Sequence, residues 1–203
     1  MFDRAVKLSG GRVGFSRRAL PMRVPCGAVL SPGPIAAGTL DMLPAAAEIV
    51  ERVAPWASVQ LAPAVWNVDE DGDSSYAALY STARRTGRDG TRYYRVNGLA
   101  WTSDGQAHSC VSLQPPHRLL PIIHHELFHN VSKRLTAEAH AVLDAAVAGT
   151  PIEYPGEYAG RAEERKARFY EHFASALDEG MRIPLMPGSA EEILYGIYRG
   201  DWA

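Results

Sequence analysis

The order of local patterns along this sequence predicts an α+β fold with one shared core. Short runs rich in β-branched and aromatic residues lie in the first half of the chain, whereas longer patterns with helical spacing follow Pro115 and Pro116. The composition agrees, because 203 residues with 46% hydrophobic and 22% charged residues suit one medium globular domain. Disordered, collagen-like and coiled-coil classes are therefore disfavoured.

The first 26 residues differ from the rest of the chain in charge. Residues 1–26 are glycine-rich and carry six basic side chains against one acidic side chain, which predicts a basic N-terminal arm or irregular strands. This arm is the part of the chain that we expect to contact an assembly partner. Residues 27–203 are predicted to form a single domain. It opens with a helix over Leu40–Val53, which Pro55 ends.

The middle of the chain predicts strands, and the second half predicts helices. Three β-type runs begin at Ala57, Thr91 and His108, and they indicate a small, twisted, mostly antiparallel sheet. The helices that follow start with Pro121 as a first helical residue and with Thr136 as an N-cap. The predicted helices are Pro121 to about Arg134, Thr136 to about Ala148, Arg161 to about Glu179, and a short one from Ala190.

Charge, cysteine content and hydropathy exclude several classes of partner and site. A formal net charge of −2 creates no general field for nucleic acid or an anionic membrane, which argues against both as partners. Cys26 and Cys110 are too few for a disulfide framework and are not spaced as a metal or redox pair. We find neither a secretory signal nor an apolar run near the 18 or so residues of a membrane span, and therefore expect a cytoplasmic protein. Packaging in a virion or non-classical export would leave no such mark.

The most informative motif is HExxH, formed by His125, Glu126 and His129. Residues four apart lie on one face of a helix, roughly 5 to 6 Å apart at Cβ, so both imidazoles can bind one Zn²⁺. Glu126 then projects beside the metal and can accept a proton from bound water, whose pKa zinc lowers towards about 7. Only about 0.015 such motifs are expected by chance in this composition, so the pattern is specific.

The apolar residues of the same helix predict which way the histidine pair points. The centre of the apolar stripe lies well over 90° from the pair, which therefore faces a groove or solvent. The competing interpretation is two surface histidines with a helix-favouring glutamate between them. His124 falls on the stripe, which favours a core histidine over a metal ligand. The stripe consists of Ile123, Leu127, Phe128, Val131 and Leu135.

A catalytic zinc site needs a third protein ligand and an open position for water. Leu135 stands where a metzincin would place its third histidine, so that subclass is excluded. A glutamate from the next glutamate-rich helix remains, and Glu164 and Glu171, seven residues apart, share one of its faces. We favour Glu164, because the small Ala167 follows it and permits close helix approach. Glu171 stays open as the alternative, and Glu163, about 100° round the helix, is a more distant one.

Ligand histidines usually donate their second ring nitrogen to an acceptor, which fixes the ring. The member of the Glu164 and Glu171 pair that does not bind the metal is a candidate acceptor. Asp144 or a backbone carbonyl is another. The sequence thus predicts that one helix supplies both a ligand and the carboxylate that supports a ligand.

These stretches resemble the gluzincin side of the zincin metallopeptidases, in which HExxH is followed by a helix carrying a glutamate ligand. The resemblance covers residues 115–180 and implies a zincin-like fold, with a sheet packed against the HExxH helix and the glutamate helix. EERKARFYEHFA is similar to the ExxARxFE pattern of zincin-like domains in phage and toxin-associated proteins. Lethal-factor-like domains instead show ExFAxA, which leaves the third ligand open. The first pattern matches Glu164, Ala167, Arg168, Tyr170 and Glu171, and the second matches Glu171, Phe173, Ala174 and Ala176.

The resemblance implies a zinc-dependent metallopeptidase acting on a peptide or protein substrate. Glu126 would deprotonate the zinc-bound water and pass the proton to the leaving amine. The tetrahedral intermediate needs a donor opposite the metal, and we predict Tyr158, with Tyr154 and His172 behind it. The strand from His108 is expected to pair with extended substrate. The alternative function is a catalytically silent zincin-fold structural or docking module of a larger assembly, for example in a phage.

Overall fold

A computed structural model describes residues 6–8, 13–15, 22–69, 82–150, 161–181 and 188–202. Within them the chain forms five α-helices and two five-stranded sheets, which confirms the prediction of an α+β fold. None of the helices in these ranges is both long enough and apolar enough to cross a membrane.

The strands and helices are numbered in chain order. The strands are β1 (Val6–Leu8), β2 (Val13–Phe15), β3 (Met22–Arg23), β4 (Val29–Ser31), β5 (Ser58–Ala62), β6 (Ala64–Val68), β7 (Arg84–Thr86), β8 (Arg92–Val96), β9 (Gly98–Ser103) and β10 (Gln106–Ser112). The helices are α1 (Leu43–Val53), α2 (Pro116–Ser132), α3 (Ala137–Ala148), α4 (Ala162–Asp178) and α5 (Gly188–Arg199), and a 3₁₀ turn at Thr39–Met42 precedes α1.

The sequence predicted one sheet, but the described strands form two. The first sheet has the order β1-β2-β5-β10-β9, and the second has the order β3-β4-β6-β8-β7. Most pairs are antiparallel, as predicted, but β5 pairs in parallel with both β2 and β10. Parallel pairing needs a long connection. The chain between β5 and β10 makes that connection by crossing into the second sheet as β6, β7 and β8.

The described parts of the basic N-terminal segment belong to these sheets. Strands β1 and β2 extend the first sheet beyond β5, and β3 is the first strand of the second sheet. Phe15 of β2 is buried in the main core. The segment is therefore tied to the domain at these positions through backbone pairing and one aromatic side chain.

Helix α2, which carries the HExxH motif, begins five residues before its predicted start. Pro121 was predicted as its first residue, but α2 begins at Pro116 and contains Pro121. Pro121 cannot donate a backbone hydrogen bond to the carbonyl of His117, which weakens the helix locally. Leu119 and Ile122 are buried on either side of it, and this packing compensates for the missing bond. The other predicted helices begin within about three residues of their expected starts, with Thr136 Oγ1 accepting a hydrogen bond from the Ala139 amide as the N-cap of α3.

A large apolar core holds α2 against the first sheet. Val59 and Val111 of the sheet pack in one cluster with Leu127 and Phe128 of α2 and with Tyr170 of α4. Helix α2 thus lies between strands β9 and β10 on one side and helix α4 on the other. This placement brings α4 alongside the face of α2 that carries the histidine pair.

A smaller apolar cluster joins the two sheets. It contains Val65 and Val96 of the second sheet and Cys110 of β10. The Ser112 hydroxyl donates to the carbonyl of Val96 at 2.9 Å and accepts from the amide of Val65 at 3.0 Å. These bonds fix β10 against the second sheet and so fix the floor on which α2 rests.

Candidate metal centre

The candidate site lies in a cleft of about 680 Å³ lined by α2, α4 and the outer strand β9. Helix α2 buries its apolar stripe completely at Leu127 and Phe128. Its opposite face therefore points His125 and His129 into the cleft, as the helical spacing predicted. Glutamates of α4 line the facing wall.

Donor atoms from three side chains meet in this cleft. The Nε2 atoms of His125 and His129 are 3.2 Å apart. Glu164 places Oε2 3.3 Å from His125 Nε2, and its Oε1 lies 3.6 Å from His129 Nε2. Across the described ranges, this is the one group of three or more His, Cys, Asp or Glu side chains whose donor atoms all lie within 4.8 Å of one another.

The separations and the donor types fit a zinc site. Zinc–nitrogen and zinc–oxygen bonds of about 2.0 to 2.2 Å in a tetrahedron set neighbouring ligand atoms about 3.3 Å apart. The observed separations of 3.2, 3.3 and 3.6 Å bracket that value. Two imidazoles and one carboxylate also leave a fourth position for water. His125, His129 and Glu164 could therefore hold a divalent metal.

The second ring nitrogen of His125 is held by another carboxylate of α4. Its Nδ1 lies 3.1 Å from Oε2 of Glu171, whose other oxygen accepts a hydrogen bond from Arg168 Nη1 at 2.5 Å. Burial opposes ionisation of Glu171, but His125 and Arg168 together hold the pKa of its carboxyl below the usual range. This arrangement fixes the ring so that Nε2 faces the cluster. The structure thus brings Glu164 to the donor atoms and Glu171 to the back of a ligand ring.

The two carboxylates also control the charge of the metal-free site. Burial disfavours the charged imidazolium of His125, but Glu164 and Glu171 outweigh burial and raise its pKa to about 10. Burial likewise opposes ionisation of Glu164, and its hydrogen bonds to His125 and His129 lower its pKa to about 2. The metal-free site therefore keeps a proton on His125 at neutral pH, and a metal ion would displace that proton.

The motif glutamate is packed directly against strand β9. Glu126 is only 7% exposed, and burial raises the pKa of its carboxyl. A Cβ atom built on Gly98 would lie 2.4 Å from Glu126 Oε1 and 2.5 Å from its Cγ. Only glycine leaves room for the carboxyl at this position. A glycine inside a β-type run is itself a sign of close approach, which makes Gly98 a signal that sequence reasoning missed.

Comparison with known proteins gives no relative. No family model matches the chain, and neither the curated proteins nor the solved structures contain a match. The zincin resemblance therefore depends on the motif residues and on the geometry of this cleft.

A separate polar cluster behind the site accounts for two further predicted carboxylates. The Lys166 ammonium lies 2.9 Å from His140 Nδ1, 3.3 Å from Asp144 and 3.4 Å from Glu163. Asp144 therefore pairs with a lysine and not with a ligand histidine, which corrects that alternative. Glu163 lines the cleft but is not a member of the donor cluster.

The strand that was predicted to bind substrate does not lie at an edge of its sheet. The strand from His108, β10, lies between β5 and β9, so both of its edges are already paired. Within the described ranges the outer strands of this sheet are β1 and β9, and residues Gly98–Ala100 of β9 line the cleft. Sequence alternation shows that a segment is a strand but not whether it is central or at an edge, because strand order depends on distant parts of the chain.

The remaining predicted residues have different outcomes. Tyr158 and Tyr154 lie outside the described residues. His172 is exposed on α4 and does not line the cleft. Arg118 does line the cleft, two helical turns before His125 on the same face of α2. It was missed because the predicted helix began after this residue.

Proposed function

We propose that this chain is a zinc-dependent metallopeptidase with a zincin-like fold, acting on a peptide or protein substrate. One observation carries the proposal: donor atoms of His125, His129 and Glu164 converge beside a buried Glu126 in an open cleft. Zinc bound by these three side chains would supply a Lewis acid that polarises the scissile carbonyl and acidifies a water molecule.

Glu126 is the residue that moves the proton in this proposal. It follows His125 directly on α2, so it lies beside the donor cluster without belonging to it. Its burial against Gly98 raises the carboxyl pKa, which suits a base that takes a proton from water and returns it to the leaving amine. The same packing fixes the position of the carboxyl before substrate binds.

The outer strand β9 supports a peptide as the substrate. Its backbone at Gly98–Ala100 lines the cleft next to the donor cluster. An extended peptide can add to such an edge through main-chain hydrogen bonds, which bind any sequence and place the scissile bond by register. Tyr158 stays our prediction for the donor that stabilises the tetrahedral intermediate.

The zincin-like fold is the more specific part of the proposal. It is supported by three placements: the HExxH helix α2, the glutamate helix α4 packed on it, and an edge strand along the cleft. The inner strands of the sheet pair in parallel around β5, and the N-terminal strands extend it.

The decisive experiment compares wild-type protein with Glu126→Gln, using the full chain. Zinc content is measured by elemental analysis, and cleavage is measured with a library of quenched fluorescent peptides. We expect about one zinc per chain in both proteins, and peptide cleavage in the wild type alone, because the variant keeps the ligands but loses the base.

Three results would contradict this function. Cleavage that survives in Glu126→Gln would point to a contaminating peptidase, and a folded protein that binds no zinc would remove the metal centre itself. Stoichiometric zinc with no cleavage of any peptide would instead indicate the alternative, a catalytically silent module of a larger assembly.

A further inference from the structure

The charged side chains of the cleft are distributed unevenly. Four basic side chains and four glutamates line it, so a bound Zn²⁺ would leave a formal charge of +2. Three of the glutamates have cationic or imidazole partners: Glu164 contacts the histidine pair, Glu171 contacts Arg168, and Glu163 contacts Lys166. The negative charge is therefore compensated around the metal centre, and positive charge is left nearer the ends of the cleft.

Arg118 lies at one end of this cleft. It is seven residues before His125 on α2, which corresponds to two helical turns and about 10.5 Å along the axis. Ile122 lies between them on the same face and also lines the cleft. The Arg118 side chain is exposed, and no carboxylate of the described residues pairs with it.

Lys133 lies towards the opposite end. It is the C-cap of α2, four residues after His129 and about 6 Å further along the helix axis, and its ammonium donates to Thr102 Oγ1 of β9 at 3.0 Å. Glu126 contacts β9 at Gly98, so β9 runs along α2 in the same direction between these two contacts. A peptide that pairs with β9 and continues past its Gly98 end would thus pass the donor cluster with Lys133 towards one end and Arg118 towards the other.

We propose that the cleft selects acidic peptides, and that Arg118 binds a carboxylate about three residues from the scissile bond. The distance follows from the geometry, because an extended peptide advances about 3.3 Å per residue and Arg118 lies about 10.5 Å from the first ligand histidine along α2. The planar guanidinium can take a carboxylate with two parallel hydrogen bonds. The position of the carboxylate relative to the scissile bond rests on the proposed peptidase function. The preference for binding acidic peptides does not.

The first test measures cleavage. A neutral peptide that the wild type cleaves is remade with Glu, Gln or Lys at the third position on either side of the cleaved bond. We expect kcat/KM to be about fivefold higher for Glu than for Gln on one side, with Lys lowest, and the preference to shrink as salt is raised. Arg118→Gln should bring the Glu to Gln ratio near one, and Arg118→Glu should reverse the order of Glu and Lys.

The matched control is Arg92→Gln. Arg92 is an exposed arginine of β8 that does not line the cleft. Its replacement changes the net charge of the chain by the same amount as Arg118→Gln, so it should keep the wild-type ratio. Equal kcat/KM for Glu and Gln on both sides would overturn the inference while the peptidase function stands, and so would a preference that persists in Arg118→Gln.

The second test measures binding without catalysis. Zinc-loaded Glu126→Gln protein is titrated into fluorescently labelled peptides of otherwise neutral sequence that carry either Glu or Gln at each position in turn, and the dissociation constants are taken from anisotropy. These peptides are chosen without reference to cleavage. Tighter binding of the Glu peptide that needs Arg118 supports the inference even if the wild type cleaves nothing, in which case the peptidase function alone fails. Equal binding of the Glu and Gln peptides at every position overturns the inference whatever the cleavage result.

Discussion

The two faces of α2 carry adjacent histidines whose surroundings shift the pKa of the imidazole in opposite directions. His124 points into the core, is fully buried, and places Nε2 2.9 Å from Asp178 of α4. His125 points into the cleft between Glu164 and Glu171. Burial lowers the pKa of His124 although Asp178 opposes the shift, whereas two carboxylates overcome burial and raise the pKa of His125 to about 10.

One stripe of α4 produces both environments. Glu164, Glu171 and Asp178 follow one another at intervals of seven residues, so all three face α2. Asp178, the last residue of α4, is exposed; it contacts His124 and accepts a hydrogen bond from Tyr198 at 2.7 Å, and therefore ties helices α2, α4 and α5 together. Glu164 and Glu171 instead face His125 in the cleft and border the candidate metal centre. The difference teaches that the same helix pair provides an anchor at His124 and a candidate metal centre at His125.

Replacing the cleft-facing histidine should have the largest effect. His125→Ala removes one ligand and leaves Glu164 and Glu171 with mutual repulsion, so we expect loss of stoichiometric zinc and of all peptidase activity. Elemental analysis and the peptide assay measure both. His117→Ala, an exposed histidine on the same helix, is the control and should bind zinc normally. Full zinc binding by His125→Ala would show that the metal centre lies elsewhere.

Neutralising the carboxylate behind the ligand should have the next largest effect. Glu171→Gln keeps the size of the side chain but removes the charge that orients and polarises His125 through Nδ1. Loss of such a partner typically weakens metal binding by about 10- to 100-fold. Competition with a chromophoric chelator gives the zinc dissociation constant, and the exposed Glu179→Gln serves as the charge-matched control. An unchanged constant would mean that Glu171 only packs against the ring.

The opposite pKa shifts of the two histidines predict how zinc binding depends on pH. The raised pKa of His125, about 10, means that the metal-free protein holds this proton at neutral pH, and zinc must release it. Zinc affinity should therefore rise at least tenfold per pH unit between about pH 6.5 and 9, because ionisation of the zinc-bound water adds to the proton released from His125. Glu164, with a pKa of about 2, is ionised throughout that range, and the lowered pKa of His124 keeps that ring neutral.

Calorimetry in buffers with different ionisation enthalpies counts the released protons directly. We expect at least one proton per zinc around neutral pH, one from His125 and part of another from the zinc-bound water. The raised pKa of His125 also sets how the stability of the metal-free protein depends on pH. The stability that His125 contributes is complete below its unfolded pKa of about 6.5 and is lost as pH rises towards 10. Zinc binding with no proton release would contradict the prediction that His125 is protonated in the metal-free protein.

The sequence predicted the local half of this site and left the tertiary half open between Glu164 and Glu171, with Glu164 favoured as the ligand. Spacing alone identified His125 and His129 as one helical face and Glu164 and Glu171 as another, because helical periodicity is a local property. It could not show which glutamate meets which ring nitrogen, since that depends on how α2 and α4 are aligned.

The same limit explains the errors in the fold. The strand from His108 was predicted to bind substrate, but strand order is set by the long crossover between β5 and β10, which no local pattern records. Pro121 matched the rule for a first helical residue, but Pro116 matches it too, and the longer helix buries Leu119. That error also removed Arg118 from the predicted helix and so from the predicted cleft.

Adding one methyl group beside Glu126, the proposed general base, should have a smaller effect on the cleft. Gly98→Ala forces the Glu126 carboxyl away from β9, because the new Cβ would lie 2.4 Å from Oε1. We expect kcat to fall about tenfold with zinc content unchanged, since misplacement of a catalytic group lowers the rate without touching the ligands. Gly14→Ala is the control, because Gly14 lies in β2 of the same sheet and no atom of the described residues lies within 4 Å of the added Cβ. An unchanged kcat would mean that Glu126 has room to relax.

Replacing the core-facing histidine should have the smallest effect on the cleft and a clear effect on stability. His124→Ala removes the imidazole that contacts Asp178 and leaves a cavity next to Tyr170 and Tyr198, whose rings pack around it. The lost hydrogen bond and packing should lower the free energy of unfolding of the metal-free protein by about 2 to 4 kcal/mol. Chemical denaturation measures this loss, and the exposed His117→Ala should cost less than about 0.5 kcal/mol.

The zinc dissociation constant of His124→Ala separates the two faces of α2. The ligand rings are held from the cleft side by Glu164 and Glu171, so a folded His124→Ala protein should bind zinc almost as tightly as the wild type. If the constant instead rose as far as in Glu171→Gln, then the core face would also position the ligands. In that case Asp178→Asn, which keeps the imidazole but removes its charged partner, should reproduce the loss, because the anchor would act through the orientation of α2 against α4.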